Sequence, residues 1–386
     1  TKRIYLMTQI PKNIDTLLMV GTSEKLADLY YATQFRAPDD VIFVWTQNEK
    51  ILLVNSLEFD RACEEADVDR VLQYKDYENN VRSRDGENPT QENVIIALLE
   101  ELQTKTIHVA EAFPIGLGDA LRSKGMDLRV VSNPLFPNRQ IKTRSEVEYI
   151  RDSQKAAELG MTAALDLLHE SEIQEEKLVI DGKILTSEHV RRAISMALLD
   201  IEYVSNHTIV ACGEQGCDPH QEGRGPLLAN QPIIIDIFPF HSRHGYFGDI
   251  TRTVVKGKAS KKVKALYETV LEAQEIALSN IKHGAKGDEI HSSVQRFFSS
   301  NGYQTGLQEG FIQGFFHGTG HGVGLEIHEA PRISQQKDIL QSGQVVTVEP
   351  GLYYRGIGGV RIEDTVVVRS NDCENLTSFP KKLEIA

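Results

Sequence analysis

The chain has 386 residues, and 55 acidic against 42 basic side chains give it a formal net charge of −13. This length favours two domains over one, and an apolar fraction of 40% is ordinary for a soluble globular protein. The acidic balance disfavours a nucleic-acid-binding surface, and no apolar run approaches the roughly 18 to 20 residues of a membrane-spanning helix.

The start of the chain and its cysteines indicate the compartment. Glutamine, proline, lysine and aspartate interrupt the first twenty residues, which is unlike a signal peptide. The four cysteines contain no C-x-x-C pair: Cys63, Cys212, Cys217 and Cys373. We therefore expect reduced thiols, rather than a disulfide framework or a zinc ribbon, in a soluble cytoplasmic protein.

Residues 1 to about 133 alternate strand-like and helix-like segments, which is typical of an α/β unit. Strands are predicted over 40–45 and 50–55, joined by a polar turn, and over 106–110 and 128–132; helices are predicted over 92–105 and 116–124. Asn133-Pro134 and Phe136-Pro137-Asn138 then break the pattern. We place a domain boundary there, with residues 1–138 before it and 139–386 after it.

The second domain combines helices with antiparallel strands. Thr143-Arg-Ser-Glu146 has capping-box spacing and predicts a helix that runs to about Leu168. Further helices are predicted over 187–200, 260–282 and 287–300. The expected class of the whole chain is therefore α+β.

Two similar stretches in this domain, 232–255 and 344–368, have the pattern of β-hairpins. Each has a β-branched run that ends in an acid, a turn-rich centre, a second acid and another β-branched run. Pairing Asp236 with Asp249 centres the first turn on Ser242-Arg243, and pairing Glu349 with Glu363 centres the second on Gly356. Opposed residues have Cβ atoms about 4.5 to 5.5 Å apart, and like charges at that distance are destabilising unless a cation lies between them.

Alternation in the second stretch predicts one polar and one apolar face. Polar residues at 347, 349, 361, 363 and 365 share one parity, and valine or isoleucine at 346, 348, 362 and 366 shares the other. Asp364 is the exception on the apolar side. We expect the apolar face to lie in the core and the polar face to form a site.

A glycine-rich segment, FHGTGHGVGLEIHEAPRI at 316–333, contains His317, His321 and His328. Four glycines at alternate positions argue against a helix, since each costs about 1 kcal/mol relative to alanine. The segment therefore does not make a helical zinc motif. It does not make a dinucleotide-binding loop either, because its spacing is G-x-G-x-G-x-G rather than G-x-G-x-x-G and no strand-then-helix pattern frames it. We predict an extended or looped segment whose glycines allow close approach of backbone or ligand.

The acids and histidines together predict a metal centre. Four carboxylates and one imidazole form a plausible cage for two divalent cations about 3.5 to 4 Å apart, which would activate a shared water. This donor set suits manganese, cobalt, iron or zinc.

These residues resemble a known family. IIID at 233–236, GDITRT at 248–253, HGTGHGVGLEIHE at 317–329, VEPG at 348–351 and VRIED at 360–364 resemble the pita-bread metallopeptidases, and among them the Xaa-Pro peptidases, prolidase and aminopeptidase P. The resemblance implies a pita-bread catalytic domain preceded by a smaller α/β creatinase-like domain. It also implies two divalent ions, with manganese the first expectation, small proline-containing peptides as substrates, and a homodimer.

The resemblance also implies roles for single residues. The implied metal ligands are Asp236, Asp249, His321, Glu349 and Glu363, of which Asp249 and Glu363 bridge both ions. The residues implied around the substrate are His220, His317 and His328, which bind the peptide and stabilise the tetrahedral intermediate. Glu349 is the implied general base towards a metal-bridging hydroxide, and Arg361 supports the site. Other histidines, such as His207, His283 and His291, are expected at the surface or at helix caps.

The sequence departs from the family pattern after the first aspartate, and other functions compete with the Xaa-Pro interpretation. Phe238-Pro239 replaces the usual small residue after the first aspartate, so we expect a different pocket rim. A methionine aminopeptidase shares the ligand set, but the additional N-terminal domain and the His-Gly-Thr-Gly-His loop favour the Xaa-Pro branch. A non-catalytic pita-bread binding protein is disfavoured by the intact ligand set. Dipeptidase and aminopeptidase both stay open, with GGVRIED resembling prolidases.

Overall fold

The computed structural model of the protein describes residues 10–86 and 88–386. The chain divides into two compact units, one that ends at Arg139 and one from Gln140 to Ala386. All four cysteines lie within the described residues and are free thiols, as expected.

The N-terminal unit is an α/β layer built on a mixed sheet. Its strands are β1 (Thr16–Gly21), β2 (Val41–Thr46), β3 (Lys50–Val54), β4 (Arg70–Gln73), β5 (Thr106–Ala110) and β6 (Asp127–Val131). Its helices are α1 (Ala27–Thr33), α2 (Phe59–Glu65), α3 (Tyr74–Asp85), α4 (Gln91–Glu101) and α5 (Ile115–Ser123). The strand order is β4-β3-β2-β1-β5-β6. Every strand and helix predicted in this part is confirmed, whereas β1, β4 and the first three helices were not anticipated.

The C-terminal unit contains four longer helices: α6 (Arg144–Glu170), α7 (Ser187–Leu199), α8 (Lys261–Asn280) and α9 (Gly287–Ser300). Its first strands are β7 (Glu172–Gln174), β8 (Lys177–Ile180), β9 (Lys183–Ile184), β10 (Tyr203–Val204), β11 (Ile209–Cys212), β12 (Ile233–Ile237), β13 (Phe240–His241) and β14 (Ile250–Lys256). The later strands are β15 (Gly306–Gln308), β16 (Phe311–Gln313), β17 (Gly320–Gly322), β18 (Glu329–Ile333), β19 (Val345–Val348), β20 (Gly351–Tyr354), β21 (Gly358–Arg361), β22 (Asp364–Val368), β23 (Cys373–Asn375) and β24 (Glu384–Ile385). Short 3-10 helices cover Pro137–Gln140 and Gly213–Cys217.

The predicted helices begin where their capping residues place them. The Glu146 amide donates to the Thr143 hydroxyl, and the Thr143 amide donates to the Glu146 carboxylate at 2.8 Å, so the capping box of α6 is complete. Apolar residues at helical spacing, including Ile150, Met161 and Leu168, form its buried face. The predicted boundaries of the four long helices agree with the observed ones to within two residues.

The C-terminal unit consists of two halves with the same layering. In the first, α6 and α7 cover the sheet β11-β12-β14-β24 with a core that includes Met161, Ile194 and Ile235. In the second, α8 and α9 cover the sheet β18-β17-β19-β22-β23 and the pair β20-β21. The halves join where Thr251 bridges to Glu363. The strands that bear the predicted acidic ligands therefore meet at this junction.

The second acidic hairpin has the predicted register. Val348 lies opposite Asp364 on one side of the acidic pair, and Gly351 lies opposite Arg361 on the other. Both pairings continue the alignment of Glu349 with Glu363, and the turn is centred on Gly356 as predicted. The residues at 346, 348, 362 and 366 are buried in the core, which confirms the apolar face. The exception, Asp364, is buried between Arg252 at 2.9 Å and Lys381 at 2.6 Å.

The first acidic hairpin forms, but the predicted register is wrong by two residues. Asp236 lies opposite Thr251 instead of Asp249, and the turn is centred one residue later than Ser242-Arg243. The reason is Gly245, whose left-handed backbone (φ +71°) and N–H close the turn. A shift of two keeps the strand faces unchanged, so both aspartates still point to the same side.

Candidate metal centre and active site

All nine side chains predicted for the site line one cavity of about 790 Å³ in the C-terminal unit. They are Asp236, Asp249, His321, Glu349, Glu363, Arg361, His317, His328 and His220. The cavity lies at the junction of the two halves, because each acidic hairpin presents its polar face there.

The glycines of the histidine segment allow the backbone to approach its neighbours closely. A Cβ at Gly320 would lie 1.9 Å from the carbonyl oxygen of Thr347, and one at Gly322 would lie 2.3 Å from that of Ala330. The segment is extended rather than helical here, as predicted, and the His321 amide donates to the Thr347 hydroxyl at 3.1 Å. A larger residue at Gly320 would push the His321 strand away from the acidic strand β19, and one at Gly322 would push it away from β18.

Three buried side chains lie close enough to share a metal ion. One ligand atom each from Asp249, His321 and Glu363 lies within 4.8 Å of the others. His321 Nε2 is also 3.7 Å from Asp249 Oδ2 and 3.4 Å from Glu349 Oε1. Of the five implied ligands, these four therefore converge on one point, and Asp236 lines the same cavity.

The carboxylates destabilise one another's charge. Burial, together with the charges of Glu363 and Asp236, raises the pKa of Asp249 well above its usual range. Burial also raises the pKa of Glu363, again with help from neighbouring acids, and raises that of Glu349 to about 8. A bound cation would reverse this effect, because it stabilises the ionised carboxylates.

The imidazole of His321 has the protonation state that a metal ligand requires. Burial lowers its pKa to about 3, so the ring is neutral. Nδ1 lies 3.2 Å from the Gly322 carbonyl oxygen, which can only accept, and this places the proton on Nδ1. The lone pair of Nε2 then faces the carboxylates, an arrangement of acceptors that a metal ion satisfies.

Buried oxygens without hydrogen-bond partners give a further test of whether these residues suit a divalent metal ion. Asp236 Oδ1 and Glu363 Oε1 are buried, and neither has a hydrogen-bond partner among the described residues. Buried polar atoms are normally paired, so each orphan needs an explanation. Carboxylate oxygens with one imidazole are a suitable donor set for a divalent metal, and the residues present therefore fit one.

Tyr353, which the sequence analysis missed, connects three of the predicted residues. Arg361 donates from Nη2 to Asp236 at 2.6 Å and from Nη1 to the Tyr353 hydroxyl at 3.0 Å. That hydroxyl is 2.9 Å from His317 Nε2, while His317 Nδ1 is 2.8 Å from the carbonyl of Gly318. Because Nδ1 donates to that carbonyl, Tyr353 donates to Nε2. Both nitrogens of His317 are thus engaged, and burial keeps the ring neutral with its pKa lowered to about 3.

His220 and His328 have freer rings. Among residues 10–86 and 88–386, no side chain or backbone group forms a hydrogen bond with either ring, although the His220 amide donates to Asp218 at 3.1 Å. The His328 ring packs edge-on against His321 with centroids 4.4 Å apart. These two imidazoles are available to a molecule in the cavity.

Arg332 is a second residue that the sequence analysis did not assign to the site. It lines the cavity, and its charge lowers the pKa of His328, after the larger effect of burial. Within the described part of the chain, its guanidinium has no hydrogen bond or ion pair, while its backbone amide donates to Asp338. The cavity therefore holds an unpaired cation close to His328.

Polar residues at core positions of three helices hold the ligand segments, two of them through backbone atoms and one through a side chain. Gln154 of α6 accepts from the Asp249 amide at 2.9 Å, and Gln274 of α8 donates to the Val348 carbonyl at 2.9 Å. His291 of α9 is 2.9 Å from the Thr319 hydroxyl. The expectation of a surface position for His291 is wrong, because it occupies the apolar face of its helix. A polar residue at a position where helical periodicity requires an apolar one was the available signal.

The departure from the family pattern at Phe238-Pro239 lies beside the cavity, and its effect on the rim stays a prediction. Phe238 lines the cavity, and the Pro239 carbonyl accepts from the Gly248 amide at 2.9 Å, directly before Asp249. His207, expected at the surface, is exposed and pairs with Glu222 at 2.8 Å, yet it also lines the rim.

Comparisons with known proteins agree with this geometry. The sequence matches metallopeptidase family M24 over residues 148–370, more than half of the chain. A Xaa-Pro dipeptidase of Pyrococcus furiosus is 30% identical over 338 residues, 87% of this chain and 86% of that one. The crystal structure of the prolidase from Pyrococcus horikoshii has a TM-score of 0.77 at 28% identity, over 96% of this chain and 95% of that one. An X-Pro aminopeptidase from Thermotoga maritima has a TM-score of 0.80 at 27% identity, over 96% and 98%.

These similarities confirm the predicted α+β class and the pita-bread catalytic domain. They also agree with the use of a divalent metal at the Asp249, His321 and Glu363 group. In the parts of the chain that the structure describes, no helix is both long and apolar enough to span a bilayer. The chain is a member of metallopeptidase family M24.

Proposed function

We propose that this enzyme is a metal-dependent exopeptidase that hydrolyses the peptide bond preceding proline in small peptides. The observation that carries the proposal is the convergence of four acids and one histidine in a single cavity of an M24 chain. Relatives that cover most of the chain are a Xaa-Pro dipeptidase and an X-Pro aminopeptidase. They favour the Xaa-Pro branch over a methionine aminopeptidase and over a non-catalytic binding protein.

The residues that would hold two divalent ions are Asp236, Asp249, His321, Glu349 and Glu363. When bound, the ions would supply Lewis acidity for the attack of water on the scissile carbonyl. The orphaned oxygens of Asp236 and Glu363 and the lone pair of His321 support this assignment.

Glu349 is the proposed general base. Its carboxylate lines the cavity 3.4 Å from His321 Nε2 and is less buried than those of Asp249 and Glu363. It would accept a proton from the attacking water and deliver it to the leaving proline nitrogen. His220 and His328, whose rings are available, would donate hydrogen bonds to the peptide carbonyl and its developing oxyanion.

His317 is assigned an orienting role. Its hydrogen bonds to Gly318 and Tyr353 fix the ring. Through Tyr353 it is connected to Arg361, which in turn holds Asp236. Arg361 therefore supports the site by orienting a ligand and an imidazole at the same time.

Arg332 supports a preference for dipeptides. In a dipeptide, the proline after the scissile bond carries the terminal carboxylate, which requires a cation inside the cavity. An unpaired guanidinium can bind a carboxylate with two parallel hydrogen bonds. Proline also lacks the N–H that ordinary proteases bind, so charge recognition at the carboxylate compensates for that loss.

Hydrolysis of a matched pair of peptides tests the proposal. The purified, manganese-loaded enzyme is assayed with Ala-Pro and Ala-Pro-Ala, with Met-Ala-Ser as a third substrate and Glu349→Ala as the inactive control. Cleavage of Ala-Pro alone assigns a dipeptidase, and preference for Ala-Pro-Ala assigns an aminopeptidase P. If a metal-loaded enzyme cleaves neither, or cleaves only Met-Ala-Ser, the Xaa-Pro proposal fails.

Finer assignments rest on family resemblance. They are manganese as the native ion, a homodimer, a cytoplasmic location, and a creatinase-like N-terminal domain over residues 1–138. Metal analysis of protein purified without added metal tests the first. Sedimentation of the full chain tests the second.

A further inference from the structure

His291 occupies a position at which helix α9 would ordinarily carry an apolar residue. The buried face of this helix includes Ile290, Val294 and Phe298, and His291 is only 3% exposed. Burial lowers its pKa, so the ring is neutral. A buried polar ring must form a hydrogen bond to be tolerated.

The partner of His291 lies in the histidine segment of the site. His291 Nδ1 is 2.9 Å from the hydroxyl oxygen of Thr319, which is completely buried. Thr319 stands midway between His317 and His321. The bond therefore connects a helix in the core to the loop that carries two site histidines.

Thr319 is itself tied to the acidic strands. Its amide donates to the Ile333 carbonyl at 2.7 Å, and its carbonyl accepts from the Glu349 amide at 2.8 Å. The side chain of Thr319 thus fixes a residue whose two backbone bonds reach β18 and the proposed general base. Displacement of Thr319 would move Glu349 and His321 together.

We propose that His291 is a positioning residue, which holds Thr319 so that His321 and Glu349 keep the geometry required for metal binding and hydrolysis. This inference rests on the proposed function for its catalytic consequence. We assign His291 no direct contact with the metal, because the residues that line the cavity do not include it and its Nδ1 faces Thr319. Small displacements of reacting groups reduce the catalytic rate strongly. Loss of the bond between His291 and Thr319 should therefore lower the rate measurably, although neither side chain touches the substrate.

A purely structural role for the ring is the competing explanation. His291 also packs against Phe315, with centroids 5.3 Å apart, and it could serve only to fill space. Gln154 and Gln274 contact backbone atoms of the ligand segments, whereas His291 and Thr319 interact through two side chains. Of these three contacts between a helix and a ligand segment, the one between His291 and Thr319 can therefore be separated by a double-mutant cycle.

The experiment compares the wild-type chain with His291→Leu, Thr319→Val, the double variant and His291→Asn. Leucine fills the space without a polar atom, valine has the shape of threonine, and asparagine restores a polar atom near the position of Nδ1. For each protein, kcat and KM for the cleaved peptide, Mn²⁺ affinity by calorimetry, the Co²⁺ absorption spectrum and urea unfolding are measured.

We expect His291→Leu and Thr319→Val each to lower kcat roughly tenfold with KM changed less than about twofold. Each should also weaken Mn²⁺ binding and alter the Co²⁺ spectrum. The double variant should be no worse than the more damaging single variant, because both remove the same bond. His291→Asn should recover at least about half of the wild-type kcat.

Additive losses in the double variant, or no recovery with asparagine, would overturn the inference. So would losses confined to the free energy of unfolding, with wild-type kcat and metal affinity. If the wild-type enzyme cleaves no Xaa-Pro peptide, the proposed function fails separately. The Mn²⁺ affinities and Co²⁺ spectra of the same variants then still decide whether His291 positions the site.

Discussion

Single side chains in the cavity differ in how fully their polar atoms are satisfied. His317 and Arg361 are bound to neighbours through several atoms. Arg332 lines the same cavity, and the described residues offer its guanidinium no partner. A group without a partner inside the protein is the one that a substrate can bind, because no internal bond must first be broken.

Arg332→Gln should therefore weaken the binding of Ala-Pro specifically. We expect KM to rise roughly 10- to 100-fold with kcat changed only a few-fold, since a hydrogen bond to a charged group contributes about 1.5 to 3 kcal/mol. Arg332→Lys should raise KM less, because the charge remains. Steady-state kinetics of the manganese-loaded variants provide the measurement.

Ala-Pro amide, which has no terminal carboxylate, is the matched control substrate. Its KM should be high with the wild-type enzyme and nearly unchanged by the substitution. Equal effects of Arg332→Gln on both substrates would show that Arg332 does not bind the carboxylate.

Residues that act through a partner were the hardest to predict. Tyr353 stands in GLYY, where an aromatic residue is ordinary for a β-strand. Its role arises only because Arg361 and His317, from other segments, lie on either side of its hydroxyl. The implied ligands, in contrast, stand in recognisable motifs of their own.

Among the elements, β17 depends most on glycine. Its Gly320 lies against the carbonyl of Thr347, with room for no Cβ. Gly318, two residues earlier, has its nearest neighbour 3.4 Å from an added Cβ and keeps ordinary negative or extended backbone angles. The two glycines therefore differ in the room that each leaves for a Cβ, although they are only two residues apart.

Gly320→Ala should destabilise the protein and impair its metal site. We expect the free energy of unfolding to fall by about 1 to 3 kcal/mol, which is typical of overpacking, and Mn²⁺ binding to weaken because His321 shifts with β17. Urea unfolding and calorimetry measure both quantities. Gly318→Ala is the control and should be close to wild type; equal damage from both substitutions would contradict this explanation.

The two acidic hairpins show how far element prediction extends. The register of the second was correct because Gly356 lies at the centre of a symmetrical turn. The predicted register of the first was wrong because Gly245 closes the turn one residue later than predicted. Strand identity follows from β-branched alternation, whereas register depends on the turn that the chain adopts.

At the scale of the whole molecule, the site makes stability depend on pH and metal. Burial raises the pKa of Glu349 from an ordinary value of 4.5 to about 8, and those of Asp249 and Glu363 also rise. The folded, metal-free chain thus binds protons that the unfolded chain has released. Its stability must then fall as pH increases towards 8.

Neutral histidines act in the opposite direction at lower pH. The pKa values of His317 and His321 are lowered from 6.5 to about 3, so their contribution to stability increases as pH rises and levels off above about pH 6.5. From pH 6.5 to 8 the histidine contribution therefore levels off, and the carboxylates dominate the change in stability.

We expect the free energy of unfolding of the metal-free protein to decrease between pH 6.5 and 8, by up to about 1.4 kcal/mol per pH unit for each proton released. Saturating Mn²⁺ should reduce the slope, because the cation keeps the carboxylates ionised. Urea unfolding at several pH values, with and without metal, measures how the free energy of unfolding changes with pH. Glu349→Gln should remove part of the slope, and stability that rises with pH in this window would refute the proposed electrostatics.

The sequence by itself determined the elements and the candidate ligands. Period-2 alternation identified the strands that carry Glu349 and Glu363, capping residues placed α6, and the motifs named five candidate ligands, because these signals lie within a few residues of one another along the chain. The tertiary structure alone decided which partners those residues have. His291 meets Thr319 across 28 positions of sequence, and Arg361 meets Asp236 across 125. Such contacts follow from how helices and sheets pack, since burial forces each polar group to find whichever partner the fold brings near.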